Sequence, residues 1–370
     1  MRVALDYRPA LSRPTGVGRY VRLLARHLLE LDPALELILF SSSWRERLRA
    51  ADLDLPRAAL LSDHRIPVRL LNFLWHRWRF PPTEALFGRV DLTHAAHPLP
   101  LPNAHGRRCV TLHDLYFLDH PEHTGAEIRR DYARQVERAL RAVDAVIVPS
   151  AATRARALAR FELGPERIRV IPHGVDPALL EPPTAAELAA YRGARPELPE
   201  RFILFVGTLE PRKNVALLLR AYAGLRRRHP AIGLVLAGAA GWGPRPELPA
   251  GCVGLGYVAP GQLRLLYHAA LALALPSLDE GFGLPALEAM ACGCPVVVSS
   301  AGALPEVVGA AGLVLDPHDA QGWSDALAAL VESPARCAAL SENGRARARG
   351  FSWERAAAAT LALYRELVER

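Results

Sequence analysis

The chain has 370 residues, 51% of them hydrophobic, and carries 45 Lys and Arg against 38 Asp and Glu, a formal net charge of +7. This length and apolar content exclude a disordered chain and a disulfide-held mini-protein, and suffice for two domains with cores of their own. The basic balance favours anionic partners such as nucleotide phosphates or anionic lipid. Nucleic acid ranks last, because no nucleic-acid-binding motif is present.

No apolar run approaches the roughly 18 residues needed to span a bilayer. Met1 to Leu5 run directly into a strand pattern, so no secretory leader is expected. The five cysteines are scattered, and Cys292 and Cys294 form only a C-x-C pair, which reads as reduced, structural thiols in a cytoplasmic protein.

In chain order, Arg2–Asp6 predicts a first strand. Pro14-Thr15-Gly16-Val17-Gly18-Arg19-Tyr20 then leads into an amphipathic helix to about Leu31. Strand, glycine turn and helix suit the approach of a phosphate, and equally a tight turn into a helix. Glu36–Phe40 predicts a second strand. Residues 65–80, RIPVRLLNFLWHRWRF, interleave aromatic residues with arginine. Two readings stay open here: a core helix with arginine on its wet face, or a segment at a membrane interface. Further strands are expected over Asp91–His97 and Arg108–Leu112. The second of these delivers His113 to a strand's carboxyl end, where a crevice is expected, although a lone His is commonly structural. A charged helix over Arg129–Val143, a strand over Ala145–Val148, a helix capped by Ser150 and a strand over Ile168–Ile171 follow. Pro177–Glu200, rich in Pro, Ala and Glu, breaks the rhythm and reads as a linker with some helix.

Phe202–Val206 opens a second alternation of strands and helices. It runs into Gly207-Thr208-Leu209-Glu210-Pro211-Arg212-Lys213-Asn214 and a helix over about Val215–Arg228. Arg212 and Lys213 fall at a helix start, which already carries positive character. They call for an anion, and a diphosphate would serve; a solvated basic turn is the alternative. Strands over Gly233–Gly238 and Gly251–Val258 and a helix over Gln262–Ala270 come next. Ala269–Pro276 has the composition of a buried strand or a short helix. It leads into Asp279-Glu280-Gly281-Phe282-Gly283-Leu284-Pro285-Ala286-Leu287-Glu288-Ala289-Met290-Ala291-Cys292-Gly293. Gly281 and Gly283 break the chain, Pro285 suits the first turn of a helix, and Gly293 suits the position past its end. Backbone N–H groups of Phe282, Gly283 and Leu284 at that helix start suit an anion or a polyol. Glu280 and Glu288 are acceptors suited to sugar or ribose hydroxyls. Strands over Pro295–Ser299 and Gly312–Pro317 and a last helix capped by Ser352 complete the chain.

The string EGFGLPALEAMACGCPVV, with Glu280 and Glu288 eight residues apart, resembles the signature of the group 1 (GT4-type) retaining glycosyltransferases. The resemblance extends through GTLEPRKN to most of the chain. It implies the α/β GT-B fold: two Rossmann-like domains facing each other across a deep cleft, residues 1–180 and 200–351, with 181–199 as linker and a helix from about 352 to 370 crossing back to the first domain.

The resemblance also implies roles. Glu288 would hold ribose hydroxyls, while Glu280, Gly281 and the amides of Phe282, Gly283 and Leu284 would hold the sugar. Arg212 and Lys213 would stabilise the leaving diphosphate, with Gly207 and Thr208 beside them. Val258 would pack near the base. Gly16 and Gly18 would line the cleft, and His113 would lie close to the donor sugar and the reacting phosphate. No cofactor or metal is expected; the substrate is a nucleoside-diphosphate sugar, GDP- or UDP-linked, with mannose one candidate. The acceptor would be a glycan, a lipid-linked molecule or a small molecule, and residues 65–80 would be the place for peripheral contact with the inner membrane face. The rivals are a nucleotide-sugar epimerase or phosphorylase on the same fold, a binding protein without turnover, and a dinucleotide-dependent oxidoreductase. Val21 stands where the last of these needs its third glycine.

Overall fold

The computed structural model describes residues 1–11, 16–121, 132–243 and 246–370, with only the backbone of Asp52, His76 and Tyr132. Pro14 and Thr15 of the expected glycine turn, and residues 129–131 of the expected charged helix, lie outside the described residues.

The chain forms two compact units. One holds the described residues of 1–118, 132–174 and 352–370, and the other holds 175–351 together with 119–121. In the first unit the strands are β1 (Arg2–Asp6), β2 (Glu36–Ser42), β3 (Leu60–His64), β4 (Leu92–Ala95), β5 (Arg107–Thr111), β6 (Ala145–Val148) and β7 (Ile168–Val170). They pair in the order β3-β2-β1-β4-β5-β6-β7, and every pairing is parallel. A parallel sheet is covered on both faces, which is why its strands read as unbroken apolar runs. On one face the helices Gly16–Leu31 and Trp353–Glu369 bury Val21, Leu24 and Leu28 with Trp353, Leu361 and Tyr364. On the other, Leu71, Trp75, Leu99, Val136 and Leu140 cover Val110 and Val146.

The glycine turn after β1 differs from expectation. A single 3₁₀ turn, Arg8–Ala10, follows the strand, and the helix already includes Gly16. Gly18 is therefore a buried residue of the first helical turn and not part of a loop, while Gly16 is exposed at the helix start.

In the second unit the strands are β8 (Arg201–Val206), β9 (Ile232–Ala237), β10 (Cys252–Gly256), β11 (Ala272–Leu275), β12 (Val296–Ser299) and β13 (Leu313–Leu315). Their order is β10-β9-β8-β11-β12-β13, again parallel throughout. Ala269–Pro276 is thus a strand: β11 is a central one, buried at all four positions. Residues 185–193 of the stretch expected as linker form a helix, opened by a capping box in which Thr184 and Glu187 each bond the other's backbone N–H. Among the described residues no helix is long and apolar enough to cross a membrane.

Candidate functional site

In the second unit the strand order reverses between β8 and β11, because β8 leads outward to β9 and β10 on one side while β11 leads to β12 and β13 on the other. Ligands of open α/β sheets bind at the carboxyl ends of strands flanking such a reversal. The loop after β8 carries Gly207, Thr208, Arg212 and Lys213, and the loop after β11 carries Ser277, Glu280 and the glycine turn. The sequence motifs therefore converge on one edge of the sheet.

The two loops are stitched together. Leu278 N donates to Arg212 O at 2.8 Å. Asn214, in the left-handed region at φ 53°, donates through Nδ2 to Pro276 O at 3.1 Å and to Pro317 O at 2.7 Å. Asparagine tolerates that backbone better than most residues, and the helix Val215–Arg228 starts directly after it.

Glu280 is buried and accepts from three side chains. Lys213 Nζ and Ser277 Oγ (2.8 Å) bond Oε1, and Arg212 Nη1 bonds Oε2 at 3.2 Å. Burial alone would raise its pKa. The charges of Lys213 and Arg212, with the hydrogen bonds from Lys213 and Ser277, outweigh burial and hold the carboxyl at about 2. Arg212 also donates to Asp279 O at 3.0 Å and through Nε to Glu210 Oε1 at 3.0 Å. The anion that the Arg212–Lys213 pair calls for is therefore supplied inside the chain, by Glu280 and Glu210. The expected call for an anion is thus met by two carboxylates that already face the two cations, and the pair is not a solvated basic turn.

The helix Leu284–Ala291 begins where expected, with Gly283 at its cap at φ 96° and Pro285 in its first turn. Neither Gly283 N nor Leu284 N donates a backbone hydrogen bond among the described residues, as the open end of a helix requires. Glu288, one turn in and buried, accepts from Tyr267 OH at 3.0 Å. Gly302, at φ 59°, closes the site from beside β12: a Cβ there would fall 2.6 Å from Glu280 N and 2.8 Å from Asp279 Oδ1. Ala303 N then donates to Glu280 O at 2.8 Å. Val258 is buried just past β10, at the sheet's outer strand.

His113, Gly16 and Gly18 belong to the first unit. His113 follows β5 and packs edge-on against Tyr20, with ring centroids 4.9 Å apart. Burial pushes its pKa down to about 4, against a bond to the Ala96 backbone that raises it. Nε2 has no hydrogen-bond partner among the described residues. The ring is thus neutral, with Nδ1–H donating to the Ala96 carbonyl and Nε2 left as a bare acceptor.

Sequence reading missed several partners. Ser277, Glu210, Tyr267 and Gly302 support the site residues, and their only local signal is proximity to the motifs. In the first unit the strand order reverses between β1 and β4, and there half-buried Arg8 and His97 close on buried Asp6. Arg8 Nε donates to Asp6 Oδ1 at 2.8 Å and His97 Nε2 to Asp6 Oδ2 at 2.9 Å. Among the described residues no group of three or more His, Cys, Asp or Glu has an arrangement that could hold a metal ion, and all five cysteines are free thiols.

Comparison with known proteins agrees with this geometry. Residues 192–347 match the family model described as glycosyl transferases group 1, and residues 14–179 match that of Glycosyltransferase Family 4. The O-antigen chain mannosyltransferase B of Escherichia coli is 31% identical over 99% of this chain and 100% of its own. The D-inositol 3-phosphate glycosyltransferase of Segniliparus rotundus is 37% identical, but that match covers 55% of this chain and 48% of the relative. The fold is also that of Anabaena Alr3699/HepE, solved in complex with UDP and glucose, at a TM-score of 0.74, with 20% identity, 99% of this chain covered and 100% of that one. Two parallel-sheet Rossmann-like domains of the GT-B class, the paired glutamates of the long motif and an end-to-end match to a mannosyltransferase together establish that the chain belongs to the group 1 glycosyltransferases.

Proposed function

We propose that the enzyme moves a hexosyl group from a nucleoside-diphosphate sugar to a hydroxyl acceptor with retention of configuration, in the GT4 manner and without a metal. The observation that carries this reading is the Lys213–Glu280–Arg212 cluster at the β8/β11 reversal, on the loop that leads into the Gly283 turn and its helix. The UDP and glucose of the Anabaena structure support a nucleotide-sugar donor, and the full-length mannosyltransferase relative supports a hexose.

In this reading Glu288 binds the ribose, and Glu280, Gly281 and the amides of Phe282, Gly283 and Leu284 bind the sugar hydroxyls. Gly207, Thr208 and Val258 line the nucleotide, and Gly16 and Gly18 are counted among the donor-binding residues. Arg212 and Lys213 stabilise charge growing on the leaving diphosphate. Because both already face carboxylates, the incoming diphosphate competes with Glu280 and Glu210 for them. The bond from the anomeric carbon to the phosphate oxygen breaks, the acceptor oxygen attacks from the same face, and its proton passes to the departing phosphate. His113, neutral with Nε2 as acceptor, takes a hydrogen bond from a donor hydroxyl rather than donating one. The acceptor is a glycan, a lipid-linked molecule or a small molecule.

Labelled GDP- and UDP-sugars incubated with candidate acceptors test this. Release of nucleoside diphosphate should depend on acceptor, and the product should keep the donor's anomeric configuration. Lys213→Ala and Glu280→Ala should each lower transfer by about a hundredfold or more. Undiminished transfer in both variants would overturn the site assignment. Release that ignores acceptor, or an inverted product, would overturn the reaction.

A further inference from the structure

The arginine–aromatic segment is not absorbed by the donor site. Its helix, Val68–Trp78, turns Leu71 and Trp75 into the core of the first unit. The reading as a core helix with wet arginines therefore accounts for only part of it. Phe73, Trp78 and Phe80 are 55%, 60% and 62% exposed, and the Phe73 and Trp78 rings contact each other edge-on at 5.5 Å. Four arginines, Arg65, Arg69, Arg77 and Arg79, lie among them, and residues 65–80 contain no acidic residue.

Arg79 ends this helix in the left-handed conformation, at φ 53°. It lines a cavity of about 220 Å³ together with Arg108 and Arg138, with Trp75 and Gln135 also in the wall. None of the three guanidinium groups makes an ion pair or hydrogen bond among the described residues; Asp144 binds the backbone N–H of Arg108 and the side chain of Arg107. Arg108 is held below its ordinary range by burial first and by the charge of Arg79 next, with Asp144 opposing. Arg108 lies at the amino end of β5, whereas His113 follows that strand's carboxyl end. The cavity is therefore set apart from the sheet edge that carries His113.

Three guanidinium groups without a protein partner among the described residues surround one cavity, which favours an anion there, and their planar donors suit phosphate oxygens. Exposed aromatic rings beside them suit the headgroup layer of a bilayer, where such rings concentrate. We propose that the Arg79–Arg108–Arg138 cavity holds the phosphate of an anionic phospholipid, and that Phe73, Trp78 and Phe80 insert beside it, docking the first unit on an anionic membrane surface. This does not rest on the transferase reading.

Flotation of the full chain with vesicles of phosphatidylethanolamine and phosphatidylglycerol, against vesicles of phosphatidylcholine, tests it. Arg79→Gly with Arg138→Ala removes two charges, and glycine retains the left-handed helix end. The chain should float with the anionic vesicles only. The double variant should partition about 25-fold more weakly, at about fivefold per basic residue. Phe73→Ser with Trp78→Ser should weaken flotation too. Thermal shift by nucleoside diphosphates, unchanged in all variants, would show that they fold and keep the donor site. Failure to float, equal flotation with phosphatidylcholine, or flotation indifferent to the arginine variant would each overturn the proposal. Binding of inorganic phosphate that the arginine variant abolishes, without flotation, would assign the cavity to a soluble phosphate and overturn the membrane source. A dimer in sedimentation that Phe73→Ser/Trp78→Ser converts to monomer would assign the aromatic face to a second copy and overturn it equally.

Discussion

Replacing Glu280 by glutamine keeps the shape of the side chain and removes its charge. At neutral pH the ionised Glu280 contributes stability in proportion to the drop in its pKa from 4.5 to about 2. That drop corresponds to about 3 kcal/mol, present above the unfolded-state value and lost as pH falls through the folded one. Glu280→Gln forfeits this and leaves Lys213, 7% exposed, without its buried anion. Amide exchange of peptides from β8 and β11 reports opening of the second unit alone. Those amides should exchange roughly one hundred- to three hundredfold faster, in line with a loss of about 3 kcal/mol. Adding Lys213→Met should restore much of the protection, since deleting both members of a buried pair leaves no stranded charge. A change below about threefold in the single variant, or a double variant less protected than the single, would refute the account of the cluster.

Gly302→Ala should destabilise by about 2 kcal/mol or more, seen as a fall in thermal midpoint, because the new Cβ meets the Glu280 backbone at a positive φ. A midpoint unchanged from the parent would show that the loop yields. The first unit should lose stability in acid. His94 and His113 titrate at about 3 and about 4 instead of 6.5, both because burial disfavours the charged ring. The unfolded chain then binds more protons between those limits, so stability present above about pH 6.5 falls as pH drops toward 4. A flat thermal midpoint across that window would contradict the neutral-ring assignment. Chelation with EDTA should leave transfer unchanged; activity restored only by an added divalent cation would overturn the metal-independent mechanism.

The strands of both sheets were legible wherever they are buried on both faces, as with Phe202–Val206 and Ala145–Val148, because parallel strands carry continuous apolar runs. The edge strand Leu60–His64 was not, since its leucines are exposed and Ser62, Asp63 and His64 lack the pattern. The run at Ala272–Leu275 was ambiguous between strand and helix until its neighbours β8 and β12 were known. At the site, Glu280, Arg212 and Lys213 were legible from the motifs, but not the bonds among them, which join residues 67 and 68 positions apart. The placement of Gly18 was hidden for a related reason: glycine marks a turn and a buried position in a helix with the same letter.

The first unit is discontinuous in the chain. Trp353, Ala357 and Tyr364, all at most 1% exposed in its core, follow the whole of the second unit in sequence. A nascent chain at about 5–20 residues per second therefore presents the first 174 residues for roughly ten to thirty-five seconds before their last helix is made. During that interval the faces of β1 and of the helix Gly16–Leu31 that will meet Trp353–Glu369 lie uncovered. The second unit, whose last residue is Phe351, can reach its native state first, so synthesis completes the two halves in the reverse of their order along the message.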